Sequence, residues 1–206
     1  MNAKAILQMA ERLAQKGDTG ALKLLVRQAS LPLLAEAMLG WTIGRKAQPF
    51  LEKVIPLEVL QELQARPALG NHVNVDLAED TAISFPWSEE RMEKALSRLA
   101  YEPWSYDRIN HYAYRYLPLG VVFFYNGLHS GAVGVLKREG QLQAEEVDLG
   151  PLYEAGLRIE WRRKGLFNGE EVPHAVLGSL AKPIPEVNHA LLLALGEVLH
   201  RHGICL

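Results

Sequence analysis

The first third of the chain alternates apolar and polar residues at the spacing of short helices. Ile6 and Leu13 lie on one face of a first helix, and Gly17 is placed to end it. Asp18 or Thr19 suits the N-cap of a second helix, because a side-chain oxygen there can accept a hydrogen bond from a free backbone N–H.

Prolines mark two further helix boundaries. Pro32 suits a first helical turn, so the pattern predicts a third helix from there to Gly40, and Pro56 begins a fourth that Pro67 ends. The second and third helices have the spacing of a helix-turn-helix. Because the third offers only Glu36 as a polar side chain for base edges, we interpret it as a packing or partner-binding helix.

The remaining two thirds shift towards a period of two, which is typical of strands. We predict strands over residues 72–77 and 81–85, and a helix over 88–101 with Ser88 as its N-cap. Apolar residues alternate with charged ones over 157–161, which predicts a strand with one buried and one solvated face.

Two Asn-Gly pairs predict antiparallel hairpins, because this dipeptide favours a type I′ turn. Residues 121–125 form a strand, Asn126-Gly127 the turn, and the return strand runs through Val133 and Val135. Asn168-Gly169 predicts a second hairpin of the same kind. An antiparallel sheet follows.

Two segments are apolar without alternation. The strand over 121–125 is one, and the other is the middle of a C-terminal helix predicted over 185–202, which Gly203 ends. A helix that is apolar on all sides is either enclosed between layers or completed by a partner. The two segments therefore indicate a three-layer core or a buried subunit interface.

The predicted fold class is α+β: a short-helix N-terminal region followed by an antiparallel sheet packed with helices. We divide the chain into a helical subdomain, residues 1–66, and an α+β domain, residues 67–206, that ends in a buried helix.

Composition and charge narrow the class of protein and the cellular compartment that we expect. The chain has 206 residues, 49% hydrophobic and 22% charged, with a net charge of -2, so its bulk charge demands neither nucleic acid nor an anionic membrane. A single cysteine, Cys205, fits a reducing compartment. No apolar run is long enough to span a bilayer and the N-terminus lacks a signal-peptide core, so we expect a soluble cytoplasmic protein.

The sequence does not match the catalytic and metal-binding motifs that we compared with it. The chain has neither a P-loop nor a dinucleotide-binding glycine motif. Residues 127–131 (GLHSG) resemble a nucleophile elbow, but Ser130 is one position late and a strand, not a helix, is expected after it. His200 and His202 are two apart on a helix and project in different directions, so we expect no metal and no cofactor.

Two histidines support an enzymatic alternative. His72 and His174 each precede a strand-like pattern, as in two-histidine phosphoesterases, where one histidine is the base and the other the acid. Those enzymes place a hydroxyl two residues after each histidine, whereas this chain has Asn74 and Val176 there. His111 is a third candidate for the same cleft.

The segment over 101–116 (YEPWSYDRINHYAYRY) concentrates aromatic and basic residues. A helix over 107–116 would bring them together at spacings of four. Such residues dominate protein interfaces and also stack on unpaired bases. The candidate binding residues are Trp104, Tyr106, Arg108, His111, Tyr112, Arg115 and Tyr116. The alternative is an aromatic helix that only packs on the sheet.

A basic strip follows at residues 158–164, with Glu160 in its midst. It is either a solvated strand face or a phosphate-contacting surface. Glu170 and Glu171 lie across the predicted hairpin and could neutralise it.

Three functional hypotheses follow from these patterns. The leading hypothesis is a non-catalytic interaction, assembly or regulatory protein that acts as an oligomer or complex subunit. The second is a small-molecule or phosphoester-processing enzyme using His72 and His174. The third is a nucleic-acid-associated accessory factor using Arg108, Tyr112, Arg115 and the basic strip.

Overall fold

The computed structural model describes residues 3–43, 68–163 and 171–206. The chain begins with helices α1 (Ala3–Gln15) and α2 (Thr19–Leu39). Gly17, with a φ of 66°, follows α1, and the Asp18 carboxylate accepts a hydrogen bond of 3.0 Å from the N–H of Ala21. Both predicted boundary signals are therefore confirmed.

Helix α2 continues through the proline that was predicted to begin a separate helix. Pro32 lies inside α2, and Gly40 caps it before a short 3-10 turn, Gly40–Ile43. The division into two helices was wrong because buried residues from Leu22 to Ala37 hold one continuous face against the core, which offsets the backbone hydrogen bond that proline removes. The fourth predicted helix, from Pro56 to Pro67, lies outside the described residues.

A five-stranded sheet forms the centre of the molecule. Its strands are β1 (Ala68–Asp76), β2 (Thr81–Ile83), β3 (Tyr112–Leu117), β4 (Val121–Asn126) and β5 (Gln141–Asp148), in the order β1-β5-β3-β4-β2. The β1–β5 and β3–β4 pairs are antiparallel, whereas β5–β3 and β4–β2 are parallel. The α+β class is confirmed, with a mixed sheet that contains antiparallel pairs.

Four further helices cover the sheet. They are α3 (Glu89–Leu99), α4 (Leu128–Lys137), α5 (Gly150–Glu154) and α6 (Val187–Arg201). As predicted, the Ser88 hydroxyl accepts a hydrogen bond from the N–H of Arg91 at the start of α3, and the α6 helix precedes Gly203, whose φ is 64°.

The segment after Gly127 is a helix, so the hairpin with a return strand through Val133 and Val135 was wrong. Gly127 has the left-handed conformation that suggested the turn (φ 67°), but here it starts α4. Tertiary packing decides the outcome: a Cβ on Gly131 would lie 2.8 Å from the Phe124 ring, so α4 approaches the sheet at a distance that only glycine permits.

A second, antiparallel sheet is formed by β6 (Arg158–Arg163), β7 (Glu171–Leu177) and β8 (Leu180–Pro183), in that order. The strand predicted over 157–161 is thereby confirmed. The predicted turn at Asn168-Gly169 lies outside the described residues, between β6 and β7.

The two faces of the five-stranded sheet carry separate hydrophobic cores. Core 1 joins one sheet face to α1, α2, α5, α6 and β7. Core 2 joins the other face to α3, α4 and Trp104. Side chains alternate between the cores along β4: Val121 and Phe123 enter core 1, and Val122 and Phe124 enter core 2. The result is three layers, and residues 121–124 of β4 are covered on both sides.

Helix α6 lies inside core 1, where it packs against α1, α2, β6 and β7. Leu191, Leu192 and Leu193 are all fully buried, and the Leu193 carbonyl accepts a hydrogen bond of 3.0 Å from the Tyr153 hydroxyl. The chain itself therefore encloses the apolar helix.

The division into residues 1–66 and 67–206 stays a prediction. No helix in the described ranges is long and apolar enough to cross a membrane.

Candidate functional site

A cleft of about 350 Å³ opens at one end of the five-stranded sheet, between α3 and α4. Strands β2 and β4 run parallel, so their carboxyl ends meet at the same edge, and each leads towards a helix. In sheets with parallel strands, ligands bind preferentially outside these carboxyl ends, next to helix N-termini. The cleft occupies that position.

One wall of the cleft is basic. Arg91, Lys94 and Arg98 are three and four residues apart on α3, so they share one side of the helix, and we name them the α3 basic stripe. All three are exposed, and none forms an ion pair within the described part of the chain. The described residues that line the cleft include no aspartate or glutamate.

The opposite wall is the N-terminus of α4. Gly127 is the N-cap and supplies no side-chain hydrogen bond, and the first intrahelical bond runs from the Gly131 N–H to the Gly127 carbonyl. The N–H groups of Leu128, His129 and Ser130 precede that bond and lie at the positive end of the helix. They supply hydrogen-bond donors to the same cleft.

His129 joins the two walls. Its Nε2 accepts hydrogen bonds from the backbone N–H groups of Trp87 (3.4 Å) and Ser88 (3.2 Å), so in the neutral ring Nδ1 carries the proton. Burial, followed by the nearby Arg91 guanidinium, lowers the pKa of His129. Trp87 contacts the His129 ring edge-on at 5.4 Å and stacks under Arg91 at 4.9 Å.

Behind the cleft, His111 contacts Ser130 with 2.7 Å between Nε2 and Oγ. The Asp107 backbone N–H donates to Nδ1 of His111 (2.9 Å), so Nδ1 is an acceptor and Nε2 carries the proton. His111 therefore donates to Ser130, whose hydroxyl in turn donates to the Gly127 carbonyl (3.2 Å). Burial lowers the pKa of His111, which keeps the ring neutral.

The direction of the hydrogen bond between His111 and Ser130 decides whether Ser130 could act as the serine of a nucleophile elbow. The expectation of a strand after Ser130 was wrong, because a helix follows Gly127. Activation of Ser130 would require His111 to accept its proton, whereas Nε2 is the donor in this contact. The pair orders the loop against α4: His111 also stacks on Trp104 at 4.7 Å, and the Trp104 indole N–H donates to the Ser130 carbonyl (2.7 Å).

The predicted helix over 107–116 is wrong. Residues 108–110 form a turn, and β3 begins at Tyr112 because Tyr112, Tyr114 and Tyr116 alternate with Ala113 and Arg115 at a strand's period of two. The candidate binding residues are consequently divided among several environments.

Three of them are buried: Trp104 and His111 behind the cleft, and Tyr116 in core 1. Arg115 is half-buried and donates to the Leu206 carbonyl (3.2 Å). Tyr106 is half-buried beside His111, at 6.3 Å between ring centroids.

Two candidates remain at the surface near the cleft. Arg108 is exposed in the 108–110 turn, and Tyr112 is 39% exposed at the start of β3. Asn110, which lies between them in the chain, lines the cleft itself. Of the seven predicted binding residues, none lines the cleft.

The structure separates the proposed pair of histidines. His72 is on β1, an edge strand of the five-stranded sheet, opposite Glu145. His174 is on β7 of the second sheet, and its Nδ1 lies 2.9 Å from the Val172 carbonyl. With His111 held behind α4, no contact joins any two of these histidines in the described ranges. Their catalytic role stays a prediction without geometric support.

The described arginines of the basic strip on β6 each lie beside a carboxylate. Glu160 binds Arg158 at 2.9 Å and Arg162 at 2.7 Å, and Arg163 lies 3.9 Å from Glu171 across the hairpin. The Arg162 and Arg158 guanidinium groups hold the pKa of Glu160 below its usual range. Lys164 and Glu170 lie outside the described residues.

Sequence reasoning missed the cleft residues Arg91, Lys94, Arg98 and His129. A signal was available, because basic residues three and four apart on a predicted helix form a stripe. The other wall was missed, because the segment through Val133 and Val135 was predicted to be a return strand, whereas it belongs to α4. No group of three or more potential metal ligands occurs among the residues that the structure describes.

Residues 4–160 match DUF6710, which is described as a family of unknown function. The match covers well over half of the chain. The chain belongs to DUF6710. The whole cleft lies inside the matched region of this DUF6710 member, whereas β7, β8 and α6 lie outside it. Comparisons with curated proteins and with solved structures find no match.

Proposed function

We propose that this DUF6710 member is a binding protein for a phosphate-bearing ligand, which it holds in the cleft between α3 and α4. The observation that carries the proposal is the α3 basic stripe, which faces the α4 N-terminus across a cleft with no acidic residue among its described lining. Every charged side chain of the described lining is cationic, and the backbone N–H groups are hydrogen-bond donors. An anion can therefore pair with the cations of one wall and accept hydrogen bonds from the other.

The number and direction of the donors favour phosphate over a single carboxylate. Arg91, Lys94 and Arg98 approach from one side and the α4 N–H groups from the other. A phosphate presents several oxygens in different directions, and arginine contacts them through parallel N–H donors. A carboxylate has only two oxygens in one plane and leaves part of this donor set without a partner.

Binding without catalysis is supported by the state of the nearby polar groups. Ser130 receives a hydrogen bond from His111, and His129 uses Nε2 as an acceptor for two backbone N–H groups. Neither arrangement supplies a free base beside a hydroxyl, which general-base activation requires.

The assembly hypothesis keeps the status of a prediction. One of its grounds now has another explanation, because α6 is enclosed by its own chain. A cytoplasmic location also stays a proposal, supported by the single cysteine.

Isothermal titration calorimetry with tripolyphosphate tests the proposed function. The variant Arg91→Gln/Arg98→Gln removes two cations from the cleft, so we expect its affinity to fall about tenfold or more. Arg158→Gln/Arg162→Gln is the matched control, since it removes two arginines that already bind Glu160. Equal affinity of the cleft variant and the wild type contradicts the proposal.

A further inference from the structure

A stack of three tyrosines lies at the same end of the sheet as the cleft. The Tyr125 ring lies between the other two, 4.4 Å from Tyr114 and 5.7 Å from Tyr112 between centroids, with interplanar angles of 24° and 14°. Tyr112 and Tyr125 are each 39% exposed. We name Tyr112, Tyr114 and Tyr125 the tyrosine stack.

An irregularity in strand pairing creates the stack. Tyr112 pairs with Asn126 and Ala113 with Phe124, so β4 has one extra residue at this point, and that residue is Tyr125. A bulge of this kind re-aims a side chain and is common beside functional sites. Burial, followed by the neighbouring Tyr114 and Glu145, raises the pKa of Tyr125 to about 12, so the phenol stays uncharged at neutral pH.

The stack and the cleft are continuous along the chain. Asn110 and Asn126 line the cleft, Tyr112 is two residues after Asn110, and Tyr125 directly precedes Asn126. Two consecutive Cα steps span at most about 7.6 Å, so the Tyr112 backbone lies at the rim of the cleft. The exposed Arg108 belongs to the same turn.

The two ends of the stack differ. Tyr114 pairs in register with Glu145 on β5 and contacts Tyr116, a core 1 residue, at 6.2 Å. That end is packed and next to a carboxylate, which repels phosphate. Tyr112 lies at the other end, where its ring is 39% exposed and its backbone pairs with the cleft residue Asn126.

We propose that the phosphate-bearing ligand is a single-stranded oligonucleotide that places a backbone phosphate in the cleft and stacks a base on Tyr112. This inference rests on the proposed function of the cleft. Proteins that bind single strands combine a cationic groove for the backbone with aromatic rings for the bases. An isolated phosphate uses the cleft and leaves the tyrosine stack without a role.

Fluorescence anisotropy with a fluorescein-labelled dT10 strand, together with calorimetry of tripolyphosphate, tests the inference. Tyr112→Leu removes the ring and keeps an apolar side chain, so we expect dT10 affinity to fall at least about fivefold while tripolyphosphate affinity is unchanged. Unchanged tripolyphosphate binding also shows that the variant is folded. Tyr112→Phe keeps the stacking surface and is expected to bind dT10 like the wild type.

The control is Tyr101→Leu, because Tyr101 is 93% exposed and lies outside the stack. It is expected to leave dT10 affinity unchanged, and added salt is expected to weaken wild-type binding steeply. If Tyr112→Leu binds dT10 as tightly as the wild type, the oligonucleotide inference is overturned while phosphate binding stands. If the wild type binds neither dT10 nor tripolyphosphate, the proposed function fails as well.

Discussion

The two faces of the five-stranded sheet carry one charged cluster that is paired and one that is not. On the core 1 side, Glu11 contacts Arg201 at 3.0 Å and His202 at 2.7 Å, and the hydrogen bond from His202 lowers the pKa of Glu11. On the core 2 side, the α3 basic stripe has no ion-pair partner within the described ranges. Cationic side chains that surround a cleft and have no ion-pair partner in the fold are available to pair with an anionic ligand.

The two faces also differ in what their helices do. The middle of helix α6 is buried on all sides and packs in core 1. Helix α3 buries one side in core 2 and presents its basic stripe to the cleft, whereas α4 presents only its N-terminus. We therefore expect the free energy of unfolding to depend mainly on the first face, and we propose ligand binding for the cleft on the second.

The largest expected effect tests the role of α6. Leu192→Ala removes a fully buried side chain from core 1 and is expected to lower the free energy of unfolding by about 2–5 kcal/mol. Leu24→Ala on α2 is the control, because Leu24 is 68% exposed and its replacement is expected to stay within about 0.5 kcal/mol. Urea unfolding measures both, and similar losses would contradict the assignment.

A smaller effect is expected where β4 passes into α4. Alanine at Gly127 would adopt a left-handed conformation and place its Cβ 2.5 Å from Cδ2 of His111, so we expect Gly127→Ala to cost about 1–3 kcal/mol. Gly178→Ala has a similar positive φ with no atom within 4 Å and isolates the backbone contribution. We expect Gly127→Ala to be the more destabilising of the two; the reverse order would show that His111 moves aside at little energetic cost.

These two sites show what the sequence could predict. The α6 helix, its end at Gly203 and the α3 helix with its Ser88 cap follow from local patterns, and all appear in the structure. The α4 helix could not be predicted, because Asn126-Gly127 is equally suited to a hairpin turn. What selects the helix is the close packing of Gly131 on Phe124, a contact absent from any local window.

The candidate site was predicted only in part for the same reason. The 101–116 segment was predicted to carry binding residues, yet a helical period was assigned to residues that form a turn and β3. With α4 and β3 both misassigned, the cleft between α3 and α4 could not be constructed from the sequence. Tyr112 and Arg108 were selected as binding residues and are each two residues from Asn110, which lines the cleft, but their relation to Arg91 and Arg98 required the fold.

The smallest expected effect is a pH dependence centred on His111. Its pKa is lowered in the folded state, so the unfolded chain binds the proton more readily. The stability contributed by the neutral ring is therefore complete above the usual histidine pKa of about 6.5 and is lost as the pH falls through the folded value. Urea midpoints between pH 7.5 and 5.5 should fall more for the wild type than for His111→Gln. Parallel curves would remove His111 as the cause.

Phosphate binding in the cleft is tested by titrating the ¹⁵N-labelled protein with tripolyphosphate and following the amide NMR shifts at constant pH and ionic strength. We predict that the largest shifts occur at Leu128, His129 and Ser130, where the α4 N-terminus faces the basic stripe. Saturable shifts confined to the β6–β8 sheet, or no saturable shift anywhere, would contradict it.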